Sequence, residues 1–290
     1  MKKIFLLMLI ILTMVCAGCA KNDAADKTAA TSGGEVKIEV LDIGQGDASL
    51  IYTKDEIVMI DTGDIDERDR LVKLLKERDI KTIDKLIITH PHADHIGGAY
   101  AVFKNFKVKE VYDNGDTTTT KTYQTYLKNI KQQNIAYHQL KAGDSVDFGG
   151  GVSFKVFSPT EKMLQSDDDL NNNSLVGQLR YNDFTMLFTG DSEREAEQNM
   201  TKSYGNELQS DVLKSPHHGS RTSSSDSYLK AVKAKDVIIS LAADNEYGHP
   251  HKQTLDRYKK YDMNVYRTDK DGTVTILTDG SDNYTIQKEK

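Results

Sequence analysis

Leu86-Ile87-Ile88-Thr89-His90-Pro91-His92-Ala93-Asp94-His95-Ile96-Gly97-Gly98 decides how this chain is read. Its apolar start reads as a buried strand, and the strand ends in four metal-competent side chains within six residues. Gly97 and Gly98 allow a tight turn into the next element. His90 and His92 sit two apart, so in an extended segment they share a side. Asp94 and His95 are adjacent, so they can point elsewhere and serve a second centre. Neutral imidazole and carboxylate are ordinary ligands for zinc and similar divalent ions. Three of the chain's eight histidines lie here, at the mouth of one strand; a chance surface loop is a poor account of that density.

Outward from this stretch the pattern is strands and helices interleaved. Val36, Ile38 and Val40 alternate with Lys37 and Glu39, as a half-buried strand does. Gly44 and Gly46 then suggest a dinucleotide-binding turn, but a third glycine is missing and Ala48 to Tyr52 continues as a strand. That fingerprint needs a helix there, so a turn between antiparallel strands fits better. Ile57 to Ile60 is a strand ending at Asp61-Thr62-Gly63, and Leu71, Leu74 and Leu75 line one face of a helix over 65–78. Further on, Thr185 to Phe188 ends at Thr189-Gly190-Asp191, and Ser192 with Glu195 makes a capping box that starts a helix. Val212-Leu213 leads into Ser215-Pro216-His217-His218-Gly219. The last strand read from the sequence is Thr273 to Leu277. No short-period repeat and no internal linker interrupts residues 36–285, which predicts one α/β domain with a strand-rich core covered by helices.

The first residues carry an address. Lys2 and Lys3 precede an apolar run from Ile4 to Val15, too short to span a bilayer, and Ala17-Gly18 leads to Cys19. Residues 1–18 therefore read as a secretory signal. The ending resembles the lipobox of bacterial lipoproteins, with Cys16 standing where leucine is usual. The resemblance implies a lipidated Cys19 at the extracellular face of the cell membrane, with plain secretion as the alternative. Residues 19–35 are small and polar and read as a tether. Both cysteines lie at this end, so the body offers no disulfide framework and no thiolate ligand. Loss of Lys2 and Lys3 takes the formal net charge from −6 to −8, a poor balance for general nucleic-acid binding. Nothing in the sequence implies a stable protein partner.

Asp61, Asp191 and the His217-His218 pair recur at strand ends, a common design for functional groups held by a rigid sheet. Together with His90 to Gly98, they resemble the metallo-β-lactamase-fold hydrolases over most of residues 36–280. More narrowly, they resemble the soluble hydrolase domain of the ComEC-type DNA-uptake channels. The matching stretches are Leu41 to Asp47, Ile60 to Gly63, His90 to Gly98, Asn173 to Val176, Thr189 to Asp191, Pro216 to Ser220 and Tyr247 to Pro250. The resemblance implies a four-layer αββα sandwich with two divalent metal ions, zinc or manganese, on one edge. It assigns His90 and His92 to one ion, Asp94 and His95 to the other with His218 as a further ligand, and Asp191 between them. Asp94 also accepts a proton from the attacking water, and His217 donates to a phosphate oxygen or leaving group. Which of His217 and His218 faces the metal stays open. Asp61 orients ligands by hydrogen bonding, and His249 lies in a loop that rims the site.

The sequence departs from the wider family at one place. That family supplies another histidine ligand between His95 and Asp191, where this chain has only His138, inside a strand. Asn171 or Asn173 offers an amide oxygen instead, which leaves the His90/His92 position the weaker one. The leading functional expectation is a surface-anchored metal-dependent phosphodiesterase or nuclease acting on DNA. Phosphorylcholine or teichoic-acid phosphodiester hydrolysis is the alternative, and a non-catalytic DNA-capture lipoprotein is a reading from another class.

Overall fold

The structure is a computed structural model that describes residues 34–165 and 169–290. The expected signal segment 1–18, Cys19 and most of the tether lie outside the described residues. Among the described residues no helix is long and apolar enough to cross a membrane.

Period-two alternation produces strands that bury one face or both. The first six are β1 (Val36–Val40), β2 (Ser49–Tyr52), β3 (Ile57–Ile60), β4 (Thr82–Ile87), β5 (Lys107–Asp113) and β6 (Ala136–Gln139). The next seven are β7 (Ser145–Asp147), β8 (Val152–Ser158), β9 (Val176–Tyr181), β10 (Phe184–Phe188), β11 (Val212–Lys214), β12 (Asp236–Ile239) and β13 (Asn264–Arg267). The chain then returns to the first sheet as β14 (Val274–Thr278) and β15 (Tyr284–Lys288). The first sheet runs β15-β14-β1-β2-β3-β4-β5-β6 and the second β13-β12-β11-β10-β9-β8-β7. Each is antiparallel over one part and parallel over the other: β3 to β6 are parallel, as are β10 to β13.

Between the sheets, Val36, Ile38 and Ile60 from one meet Phe154, Met186 and Phe188 from the other in a continuous apolar layer. Full burial of each such side chain contributes about 1.5–3 kcal/mol. The outer faces are covered by helices. On the first sheet lie α1 (Arg68–Glu77), α2 (Ala93–Ile96), α3 (Ala99–Asn105) and α4 (Lys121–Gln133), packed through Leu71, Leu75, Val102 and Tyr126. On the second lie α5 (Glu161–Leu164), α6 (Arg194–Tyr204), α7 (Asp226–Val232) and α8 (Lys252–Lys260), packed through Met163, Met200, Leu229 and Tyr258. A short α9 (Thr268–Asp271) joins β13 to β14. The layers are αββα, as expected.

Two local readings need correction. The chain does not close at β14: β15 adds an antiparallel edge strand from Tyr284 to Lys288, which its mixed polarity had hidden. Nor does Ser192 cap α6. Its hydroxyl is buried with no partner among the described residues, and Glu193 occupies the cap position without a side-chain bond. Asn172 Oδ1 caps the helix from a distant loop, accepting from Glu193 N at 3.2 Å and Ala196 N at 3.0 Å.

Candidate metal site

The site is assembled where parallel strands of both sheets end. Asp61 follows β3 in a left-handed conformation (φ 58°), and its N–H donates to Ile87 O at 2.8 Å. Its carboxylate accepts from Thr89 N, from Thr89 Oγ1 and from His95 Nδ1, each at 2.8 Å. One buried carboxylate thus fixes the loop after β4 and the orientation of the His95 ring, leaving Nε2 directed into the site. His90 is fully buried, and its Nε2 lies 3.0 Å from His92 Nδ1, so the two rings share a side as the spacing predicts.

The second sheet supplies the rest. Asp191 follows β10 and is anchored by its N–H donating to Ser174 Oγ at 3.1 Å. Pro216–Gly219 forms a short turn after β11 in which His217 and His218 both hold positive φ, 48° and 51°. Non-glycine residues in this region cost about 1–3 kcal/mol and cluster at functional sites. The turn sends the two rings different ways. His218 Nδ1 donates to Ser240 O at 2.9 Å, and its Nε2 lies 3.2 Å from Asp94 and 3.5 Å from Asp191. His217 stands at the rim, with Nδ1 2.9 Å from Glu193 and Nε2 3.8 Å from Asp191. Of the pair, His218 is the one that joins the cluster.

The loop after β1 closes the site from below. Gly46 has φ 111°, and a Cβ there would collide with the carbonyl of Asp94. That close approach lets Asp47 N donate to Asp94 O at 3.1 Å. Asp47 then pairs with the buried Lys214 at 2.8 Å and lies 3.5 Å from His218 Nδ1.

Ligand atoms of Asp94, His95, Asp191 and His218 all lie within 4.8 Å of one another. His95 Nε2 approaches Asp191 Oδ1 to 3.1 Å, yet both atoms are buried without a hydrogen-bond partner. Aligned hydrogen bonds do not account for that contact; a shared cation would. The electrostatics agree. Burial alone would push the His218 imidazolium down, but Asp191, Asp47 and Asp94 outweigh it and draw it up to about 9. Asp191, Asp61 and Asp94 likewise overcome burial and raise His95 well above the usual histidine value. Burial would raise Asp191 and Asp94, but His95 and His218 hold both below the usual carboxylate range. His90, by contrast, is driven well below its ordinary value by burial and by His95, so it stays neutral and ready to ligate. The donor set and its field fit a divalent cation.

These groups open onto a pocket of about 290 Å³, whose rim includes Gln45, Asn171, Tyr247 and His249. Of the two asparagines, Asn171 reaches this pocket, and its Oδ1 is buried with no partner among the described residues. Asn173 turns to the neighbouring loop, donating to Asp116 at 2.8 Å. His249 is pushed down to about 4 by burial and by His218 and His217. His251 precedes α8 and accepts from Arg221 N at 3.1 Å. A wider cleft of about 520 Å³ lies away from this chemistry, between the β6 and β7 edges. There His138 is exposed, stacked on Tyr112 and 4.0 Å from Glu110, remote from the cluster's ligands. Three site groups carried no assigned role in the sequence: Asp47, Lys214 and Glu193. A lysine closing the apolar run Val212-Leu213 was the one available signal for a buried charge pair.

A model of the metallo-beta-lactamase superfamily matches residues 41–243, and the chain belongs to that superfamily. Its relatives include ComE operon protein 3 of Bacillus subtilis (strain 168), 30% identical over 259 residues, a match covering 83% of this chain and 33% of that protein. Competence protein ComA of Neisseria gonorrhoeae is 28% identical over 241 residues, covering 83% and 32%. The chain thus spans about a third of the length of these curated relatives. Among solved structures, Igni18, a metallo hydrolase from Ignicoccus hospitalis KIN4/I, shares the fold with a TM-score of 0.53 at 15% identity, covering 82% of this chain and 98% of that one. CmlA, a diiron beta-hydroxylase from Streptomyces venezuelae, does so at 0.52 and 12%, covering 81% and 53%. Fold and family are those of the metallo-hydrolases.

Proposed function

We propose that this chain is a metal-dependent phosphodiesterase acting on DNA, with His90, His92, Asp94, His95, Asp191 and His218 as ligands of zinc or manganese. The observation that carries the reading is the convergence of Asp94, His95, Asp191 and His218 within 4.8 Å. Bound divalent metal would supply Lewis acidity and an activated water at neutral pH. The chain's own residues supply the rest. Asp94, kept ionised by His95 and His218, is placed at the pocket to accept a proton. His217 has Nδ1 held by Glu193, so Nε2 faces the pocket and, in the doubly protonated ring, can donate to a phosphate oxygen or a leaving group. Asp61 holds the His95 tautomer, and Asn171, which lines the pocket with His92, offers an amide oxygen that has no partner among the described residues. The competence protein ComA among the relatives favours DNA as the substrate. So does Tyr247, 58% exposed on the rim, a flat face on which an unpaired base can stack.

Purified protein with added zinc or manganese is expected to cleave single-stranded DNA and bis-p-nitrophenyl phosphate. Asp191→Ala is expected to lower kcat/KM by about a hundredfold or more, since loss of even an outer-shell partner of a metal ligand costs about 10–100-fold. Cleavage of neither substrate would sink the phosphodiesterase reading, and full activity of the variant would sink the metal assignment. Selective cleavage of choline phosphodiesters would favour an envelope substrate. DNA affinity unchanged by metal removal, without cleavage, would favour capture. We also propose the address read from residues 1–19: mass spectrometry of the mature protein should find a diacylated Cys19, and an intact Met1 or an unmodified new N-terminus would refute it.

A further inference from the structure

Beside the metal cluster a second cleft of about 520 Å³ is lined by Glu193, Arg194, Arg221, Thr222, Gln253 and Arg257. Three guanidinium groups on one cleft are unexpected in a chain of net charge −6. Elsewhere Arg70, Arg78 and Arg267 are each paired with a carboxylate, and Arg68 and Arg180 donate to Gly97 O and Gln178 Oε1. Arg194, Arg221 and Arg257 form no ion pair among the described residues. The one acid in the cleft, Glu193, is already engaged with His217 at 2.9 Å. Arg257 is held in place by Nη2 donating to Ser223 O at 2.8 Å and Thr254 Oγ1 at 3.2 Å, while its Nε is buried without a partner. Arg194 and Arg221 are exposed.

The cleft is one imidazole away from the cluster. His217 forms the wall between them, with Nε2 3.8 Å from Asp191 on one side and Nδ1 3.4 Å from Thr222 Oγ1 on the other. The metal pocket itself is lined by no lysine or arginine. A phosphate at the cluster would be neutralised by metal, whereas its neighbour along a strand would need cations from the protein. Guanidinium groups meet that need with charge-assisted, geometrically matched hydrogen bonds.

We propose that the arginine cleft is a phosphate subsite. It holds the phosphodiester group adjacent to the one at the metal cluster on a single nucleic-acid strand, and so favours polynucleotides over small diesters. The proposal rests on the phosphodiesterase reading above, and binding measurements separate the two. A fluorescent single-stranded oligonucleotide is titrated into Asp191→Asn protein with manganese, alone and combined with either Arg194→Gln/Arg221→Gln or Lys104→Gln/Lys128→Gln. Both pairs remove two exposed positive charges; the lysines lie on the helices of the other sheet. The arginine pair is expected to weaken binding about tenfold and to reduce the slope of log K against log salt by about 0.7, the single-strand value for one phosphate contact. The lysine pair should change binding by less than about twofold. Equal weakening by both pairs, or none by the arginine pair, overturns the subsite. With Asp191 intact, the arginine pair should lower kcat/KM on the oligonucleotide about tenfold more than on bis-p-nitrophenyl phosphate; equal losses count against it. If wild-type protein cleaves neither substrate, the phosphodiesterase reading fails, and the binding titration still decides the cleft.

Discussion

Burial and charge oppose each other at single side chains throughout this protein, and the winner differs by position. At Asp191, neighbouring histidines win and the carboxyl stays ionised. At Glu197 on α6, burial wins: the carboxyl is raised despite hydrogen bonds from Ser224 N and Ser225 N. The native state then holds the Glu197 proton more tightly than the unfolded chain. This contribution to stability is fully present below the unfolded value of about 4.3 and is lost as pH rises through the folded value. Glu197→Gln should remove that loss. Urea midpoints measured from about pH 4 to pH 7 should show the variant gaining on the wild type as pH rises; a gap independent of pH would refute the account. The same balance explains why His217 and His218 could not be told apart by sequence. Adjacent identical residues are separated here by a backbone turn, which buries one ring among carboxylates and leaves the other at the rim.

At the scale of elements, the candidate ligands sit beyond strand ends, with Asp94 and His95 on the short α2 that follows β4, and loops from elsewhere hold them there. Asn172 makes the point. It lies in the loop before β9 yet caps α6, which begins three residues after Asp191. Local pattern favours the Ser192–Glu195 box, but Ser192 is buried one position before the cap, which Glu193 occupies. Asn172→Ala leaves two helix N–H groups without their acceptor and should cost about 1–2 kcal/mol. Thermal melts should show this as a fall in Tm of about 2–8 °C, while Ser192→Ala should shift Tm by less. The reverse order would mean that the helix is capped locally after all.

For the whole molecule, the site pools carboxylates and histidines from both sheets, so a bound cation would tie the two sheets together. Removal of divalent metal by chelation should therefore lower the stability of the entire fold, not of one loop. Restoring zinc or manganese to about a hundredfold above its Kd should return about 2.7 kcal/mol. Melts with chelator and with added metal check this; identical Tm values under both conditions would refute a metal bound in the native state. Affinity should also rise with pH, because His95 and His218 must shed protons to ligate.

Much of this was legible in the residues alone. Alternation and glycine placement mark nearly every strand, because burying one face of a sheet imposes a period of two on the chain. The crowding of His90, His92, Asp94 and His95 points to a metal site, because local spacing is enough to bring four candidate ligands within six residues. The resemblance named Asp191 and the His217-His218 pair as what completes it, but not which of the two histidines turns inward or what holds these groups in place. Asp191 and His218 arrive from the other sheet, about a hundred residues on. Asp47 and Lys214 pair beneath them across 167 positions of chain. The arginine cleft joins α6, the loop after the histidine pair and α8. Such groupings depend on how two sheets are stacked, a long-range packing outcome that no local period encodes. His90 to His95 is a half-site by sequence; the stacking of the two sheets supplies the other half.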